Sequence, residues 1–187
     1  MRYSRLTRNG TLCYDCNLTH IRPLRFVLIF ACSLLIGFGV LVTPQVQSVD
    51  GKFSRALVSV SHALIRLGGG HATRTGAILR APGGFGVEMR DGCNAVNVTI
   101  LLCAAVLAFP SSWKMKAIGL AAGIAIIQAV NIIRFITLFY LGQYSTTWFD
   151  FAHAYLWESL IMLDTMVVFW YWVTRVLRTG APPHAEA

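Results

Sequence analysis

Four long apolar stretches, separated by polar segments, dominate the pattern of hydrophobic and polar positions along the chain. Each is long enough, or nearly so, for a helix that crosses a hydrocarbon core of about 30 Å. The second is the weakest, because it is short, opens with Asn94 and Asn97, and ends at Pro110. The pattern predicts an all-α membrane protein with about four transmembrane helices. The predicted spans cover approximately residues 24–43, 94–110, 117–141 and 154–173.

The composition agrees with one small membrane domain, since 56% of the 187 residues are hydrophobic and only 13% are charged. We predict an N-terminal segment over residues 1–23, a single transmembrane domain over 24–173 and a tail over 174–187. The first span could instead be a cleaved signal peptide. Its apolar stretch exceeds the usual length of about 7 to 15 residues, however, and no clear A-x-A site follows. A retained anchor is therefore the preferred interpretation.

The basic residues flank the apolar stretches, and their positions predict a topology. They precede the first span, fill the loop before the third, and follow the fourth at Arg175 and Arg178, so these segments should be cytoplasmic. The loop 142–153 has no Lys or Arg and should lie outside. The long loop 44–92 must then also lie outside, although it holds Lys52 and five arginines, because long loops translocate with little regard to charge. We therefore expect a multi-pass protein of the cytoplasmic (inner) membrane with both termini inside. The net charge of +8 forms no stripe with interleaved aromatics, so no nucleic-acid partner is expected.

The long outer loop contains two different patterns. Apolar residues recur at helical spacing over Phe53–Leu67, which predicts an amphipathic helix along the membrane surface. Three glycines at positions 68–70 end that helix. The stretch 72–90 then holds two short runs around Pro82-Gly83-Gly84, which predict a short hairpin leading into Cys93.

The predicted topology brings three reactive side chains to one membrane face. Cys93 lies at the outer end of the second span and His153 at the outer end of the fourth. Arg134 lies about 10 Å below the outer surface in the third span, and its long side chain can extend outward. A thiolate can attack a carbonyl, an imidazole can transfer protons near neutral pH, and a guanidinium can stabilise an oxyanion or a thiolate. Together they predict an acyl-transfer site.

Each of these residues also has a structural interpretation. Arg134 could form an ion pair with Glu158 at nearly the same depth, although intramembrane charges are costly and usually functional. Gln128, Asn131 and Arg134 follow at a spacing of three and share one helix face. Asn131 is as well suited to helix packing as to a site. We place Asn94, Asn131 and Glu158 in a supporting group around the site.

Only Cys93, of the five cysteines, is predicted at the outer surface, so it is a candidate reactive thiol rather than part of a disulfide framework. Two partial metal patterns lack the ligand spacing of a true site. They are the outer-loop histidines His62 and His71 with His153, and Cys13-x-x-Cys16 with His20. No metal or cofactor is therefore predicted.

Three short motifs, in the order Cys, N-x-x-R, His, resemble the exosortase/archaeosortase signature. They are Gly92-Cys93-Asn94-Ala95-Val96-Asn97, Asn131-Ile132-Ile133-Arg134 and His153. The resemblance covers roughly residues 87–173. Many exosortases carry Cys-Ser-Gly at the cysteine and have more spans. The departure at Asn94-Ala95 and the short length look more like the exosortase H branch.

The resemblance implies a membrane-embedded cysteine protease or transpeptidase. Its substrates would be exported proteins with a C-terminal sorting tail, which consists of a short motif, a transmembrane helix and a basic cluster, as in PEP-CTERM proteins. For the exosortase H branch, the IPTL-CTERM variant is expected. Cys93 would be the nucleophile, His153 the general acid or base, and Arg134 the stabiliser of the oxyanion or thiolate. The cleaved protein would pass to a lipid or glycan acceptor of the cell envelope.

Two rival functions remain open from the sequence. A membrane thiol oxidoreductase would need a redox-active cysteine pair or a quinone site on the outer side, where only Cys93 is predicted. A non-enzymatic scaffold or transporter subunit would use Arg134 and Glu158 as a structural pair. A transporter should also show inverted repeats or broken helices, and the sequence shows neither.

Overall fold

The computed structural model describes residues 23–90 and 92–180. Residues 1–22 of the predicted N-terminal segment, with Cys13, Cys16 and His20, therefore lie outside the described residues, as do residues 181–187 of the predicted C-terminal tail. The described chain is mainly helical. Its helices are α1 Pro23–Leu41, α2 Pro44–Leu67, α3 Val96–Ala108, α4 Trp113–Tyr144, α5 Thr146–Phe151 and α6 Trp157–Gly180. A π-helical turn, Ala152–Leu156, joins α5 to α6.

Within residues 23–90 and 92–180, three helical segments are long and apolar enough to cross a membrane: α1, α4 and the continuous helix Thr146–Arg178. The all-α membrane fold predicted from the sequence is thus confirmed. Helix α3 occupies the predicted second span but has only 13 residues, or about 20 Å at about 1.5 Å per residue. It ends early because Pro110 forces the preceding Phe109 into extended backbone, with φ −72° and ψ 133°.

Helix α3 is the centre of the membrane bundle, since it packs against α1, α4 and α6. Helices α4 and α6 are antiparallel neighbours: residues near the start of α4 contact the end of α6, and Arg134 near the end of α4 pairs with Glu158 at the start of α6. The apolar core between α3, α4 and α6 is the inner core. Its buried members are Ala95, Val98, Leu102, Val106, Ile127, Ile161 and Trp172.

The outer loop folds onto the other half of α4. Helix α2 begins at Pro44 rather than Phe53, because proline is well suited to the first helical position and Thr43 before it is extended. The predicted hairpin is a three-stranded antiparallel sheet in the order β1 (Thr73–Thr75), β2 (Ile78–Arg80) and β3 (Gly86–Glu88). Helix α2, this sheet and α4 enclose an outer core of Leu57, Val58, Ile65, Leu79, Ala81, Val87, Met89, Phe135 and Phe139.

Two glycines on α4 allow the inner core to close. A Cβ on Gly119 would overlap the Trp172 indole, and one on Gly123 would lie 2.5 Å from Leu102 Cδ2. The approach also lets Trp172 Nε1 donate to the Met115 carbonyl at 2.9 Å. Small residues at such contacts are the usual means by which membrane helices pack closely, because lipid supplies little hydrophobic drive between them.

We predict that Gly119→Ala destabilises the bundle by about 1 to 3 kcal/mol, because the added methyl group displaces the indole from a packed contact. Thermal unfolding in detergent measures the effect. Gly39→Ala on α1 is the matched control, since a Cβ there meets nothing within 4 Å. Equal unfolding temperatures for the two variants would contradict the role assigned to Gly119.

Candidate active site

Cys93 lies in a tight turn that ends the outer loop and leads into α3. Its backbone N–H donates to the Arg90 carbonyl at 2.9 Å. Two residues of the turn have positive φ: Gly92 at 87° and Ala95 at 60°. Glycine adopts this left-handed conformation freely, whereas alanine does so at a cost. The turn holds the half-buried Cys93 at the border between the outer and inner cores.

His153 lies in the π-helical turn between α5 and α6. Its imidazole stacks on the Phe149 ring, with 5.7 Å between centroids and 18° between planes. Phe149 in turn meets Phe85 of the outer loop edge to face at 5.7 Å. A Cβ on Gly142 would overlap the Phe85 ring, so this glycine gives the aromatic stack its space. Single π-helical turns are rare and frequently occur at functional sites.

The turn before α3 and the π-helical turn bring Cys93 and His153 into contact, although they are 60 positions apart in sequence. Cys93 Sγ and His153 Nε2 are 3.6 Å apart, a hydrogen-bonding distance for sulfur. A base within reach of a thiol can remove its proton and create the nucleophilic thiolate. The structure therefore brings together two of the three residues predicted for the site.

Arg134 is buried, with 4% of its surface exposed. Its Nη2 lies 3.8 Å from Glu158 Oε2. This is the ion pair that the sequence offered as the structural interpretation of Arg134. Within the part of the chain that the structure describes, no hydrogen bond joins the guanidinium to Cys93 or His153. The described contacts thus form two separate pairs, thiol with imidazole and guanidinium with carboxylate.

Asn94 is fully buried beside Cys93 and is held by residues that sequence reasoning did not connect with the site. Its Nδ2 donates to Asp50 Oδ1 at 2.6 Å and to Ser54 Oγ at 3.1 Å. The backbone carbonyl oxygen of Asn94 accepts from Gln128 Nε2 at 3.3 Å. One signal existed in the sequence: Asp50 is the sole acidic residue of the segment that forms α2.

Asn131 is fully buried on α4, and within the described residues neither its amide nitrogen nor its amide oxygen has a hydrogen-bond partner. It shares the α4 face of Gln128, which reaches the Asn94 carbonyl. An unpaired buried amide is costly, particularly in an apolar environment. The supporting role predicted for Asn131 stays a prediction.

The described residues contain no group of three or more His, Cys, Asp or Glu that could hold a metal ion. In the outer loop, the His62 ring lies 3.0 Å from the Ala72 carbonyl oxygen and bonds to it instead. The group that meets the Cys93 thiol is the His153 imidazole.

These features define a multi-pass membrane protein with a cysteine–histidine pair at the junction of its two cores. A family model described as transmembrane exosortase matches residues 18–171. The chain belongs to this family, and it is accordingly a membrane-embedded sorting enzyme in general terms. Among curated proteins and solved structures, none matches the chain.

The family resemblance explains one feature of the turn. Where many exosortases carry Cys-Ser-Gly, this chain has Cys93-Asn94-Ala95, and Ala95 has the left-handed backbone that glycine adopts without strain. The alanine is buried in the inner core. Compared with glycine, the methyl group of Ala95 adds apolar contact in the inner core but also strains the left-handed backbone.

We predict that His153→Ala slows alkylation of Cys93 by iodoacetamide at pH 7 about tenfold, because the thiol loses its adjacent base. Peptide mass spectrometry of the full chain measures the rate at Cys93 separately from other cysteines. His71→Ala is the matched control, since that histidine is exposed in the outer loop. An unchanged rate in His153→Ala would show that the 3.6 Å contact does not activate the thiol.

We predict opposite tolerance for two changes at Ala95. Ala95→Gly removes the left-handed strain, so stability should change little, because lost contact and greater freedom of the unfolded chain offset the gain. Ala95→Val places a β-branched residue at positive φ and should cost more than about 1 kcal/mol. Thermal unfolding in detergent compares them. A valine variant as stable as the glycine variant would be inconsistent with the left-handed turn.

Proposed function

We propose that this chain cleaves C-terminal sorting tails of exported proteins and transfers the new carboxyl end to a cell-envelope acceptor. The single observation that carries the proposal is the 3.6 Å contact between Cys93 Sγ and His153 Nε2 in a membrane protein of the exosortase family. The substrates would carry a PEP-CTERM-like tail, with the IPTL-CTERM variant expected for the exosortase H branch. We place the reaction at the outer face of the cytoplasmic membrane.

In the first half of the reaction, His153 takes the proton of the Cys93 thiol. The thiolate attacks the carbonyl carbon of the scissile peptide bond, and a carbon–sulfur bond forms. The tetrahedral intermediate collapses as the carbon–nitrogen bond breaks. His153 gives its proton to the leaving amine, which departs with the membrane tail. The product is a thioester between Cys93 and the exported protein.

In the second half, a nucleophile of the acceptor, or water, attacks the thioester carbonyl. His153 accepts the proton of that nucleophile, and Cys93 leaves as a thiolate. The proton then returns to the sulfur, which restores the starting state. The acceptor decides the outcome: an amine or hydroxyl group of a lipid or glycan gives transfer, and water gives hydrolysis.

Arg134 would stabilise the negative charge that develops on the thiolate or on the carbonyl oxygen. A buried guanidinium is always charged, and its field acts strongly where water is excluded. Its pairing with Glu158 supports this role, since one carboxylate balances the buried charge while the planar guanidinium keeps further N–H donors. The same pair supports the competing proposal of a non-enzymatic scaffold, in which Arg134 serves only stability.

The proposal predicts tail cleavage that depends on Cys93. A tagged exported protein with a PEP-CTERM-like or IPTL-CTERM tail is co-expressed with wild type or with Cys93→Ala, and substrate size is compared on a gel. We expect a shorter product with wild type alone, because the alanine variant cannot form the thioester. Cys103→Ala, within α3, is the matched control and should cleave as wild type does.

Hydroxylamine tests for the thioester intermediate in the same system. It competes for a thioester and leaves a hydroxamate on the new carboxyl end, which mass spectrometry detects. Capture of the hydroxamate supports the covalent intermediate. Equal conversion by wild type and Cys93→Ala, or conversion by neither with both tail types, would favour the scaffold.

A further inference from the structure

The hydrogen bonds of Asn94 connect the residue after Cys93 to three helices. From α2, Asp50 and Ser54 accept from its Nδ2. Its Oδ1 accepts from the Val96 backbone N–H at 3.2 Å, at the first residue of α3. From α4, Gln128 Nε2 donates to the backbone carbonyl oxygen of Asn94. Side chain and backbone are therefore both tied, and the residue is 0% exposed.

Cys93 and Asn94 are neighbours with different surroundings. The amide of Asn94 is buried towards α2, whereas the half-buried thiol of Cys93 meets His153. One rigid peptide unit joins the two residues, with about 3.8 Å between their Cα atoms. A shift of Asn94 is therefore passed to the thiol. Because Cys93 Sγ and His153 Nε2 are already 3.6 Å apart, a small increase in this distance would break the hydrogen bond between them.

Asp50 lies in the N-terminal half of α2, where its bond to Asn94 joins the helix to the Cys93 turn. The α2 residues in the outer core begin at Leu57, so apolar packing holds the C-terminal half of the helix. Asp50 and Ser54 precede that region, and both bond to Asn94. The contact from α2 to the Cys93 turn thus runs through polar groups, which are directional in a way that apolar packing is not.

We propose that Asp50 and Ser54 are positioning residues of the reaction: acting through Asn94, they hold Cys93 within reach of His153. Neither residue touches the reacting atoms. That this positioning serves catalysis rests on the proposed function. That Asp50 and Ser54 hold the Cys93 thiol near the His153 imidazole does not depend on which reaction the protein performs. The outer-loop helix is, on this proposal, a part of the active site rather than a cover over it.

An exchange of the hydrogen-bonding groups tests the proposal. Asn94→Asp sets a carboxylate against the Asp50 carboxylate, and like charges in contact should push the turn away from α2. We expect Cys93 alkylation by iodoacetamide at pH 7 to slow about tenfold, to the level of His153→Ala. Adding Asp50→Asn restores a donor facing an acceptor. The double variant should recover to within about threefold of wild type.

Two further comparisons show whether the effect passes through the thiol–imidazole contact. Asn94→Asp added to His153→Ala should slow alkylation no further, because the contact is already lost. Ser54→Ala should slow alkylation about threefold, since one acceptor of the Asn94 amide is gone. Ser59→Ala is its matched control on α2, where the hydroxyl donates to the Arg55 carbonyl of the same helix.

Folding is measured in parallel by thermal unfolding in detergent. Should Asn94→Asp fail to fold, Asn94→Ser replaces it, because serine can accept from the Val96 N–H but is too short to reach Asp50. A folded Asn94→Ser or Asn94→Asp variant with the wild-type alkylation rate overturns the proposal, as does a folded double variant that shows no recovery. Absence of tail cleavage by wild type would contradict the proposed function. The Cys93 alkylation rates would still test the positioning of the thiol, because they do not depend on tail cleavage.

Discussion

The tight turn from Gly92 to Ala95 is the constraint on which the rest of the site depends. It must turn the chain from the outer sheet into an apolar bundle without leaving backbone groups unpaired, because unpaired groups are costly where water is excluded. The turn has left-handed residues at both ends; the Cys93 N–H donates to the Arg90 carbonyl, and the buried Asn94 amide oxygen accepts from the Val96 N–H. Cys93 has its position because the backbone on either side has so little freedom.

The antiparallel packing of α4 and α6 sets the depth of the other site residues. Gly119 and Gly123 bring the helices close at one end, and the Arg134–Glu158 pair joins them at the other. Rigid helices then place the π-helical turn with His153 beside the turn that leads into the start of α3. The same closely packed bundle that buries Arg134 therefore also positions the base next to the thiol.

Much of the fold could be predicted from local sequence. Long apolar stretches specify membrane helices because backbone groups in lipid must bond within their own segment. The outer helix and the turn around Gly84 follow from periodicity and glycine in the same way, whereas the turn at Gly76 between β1 and β2 was not predicted. The boundaries were less predictable: α3 is shorter than the predicted 94–110, and α2 starts earlier than Phe53. Such ends depend on the backbone of single residues, such as Ala95 and Phe109.

The sequence by itself determined the membrane class, the family signature and the choice of Cys93, Arg134 and His153, because residue type and order along the chain carry that information. The sequence offered the contacts of Cys93 with His153 and of Arg134 with Glu158 as possibilities; only the tertiary structure decided that they form, and it alone joined Asn94 to Asp50 and Ser54. The reason is physical. Contacts between residues on different helices depend on helix rotation and packing distance, and small glycines, a left-handed alanine and a π-helical turn set these only when the helices are assembled.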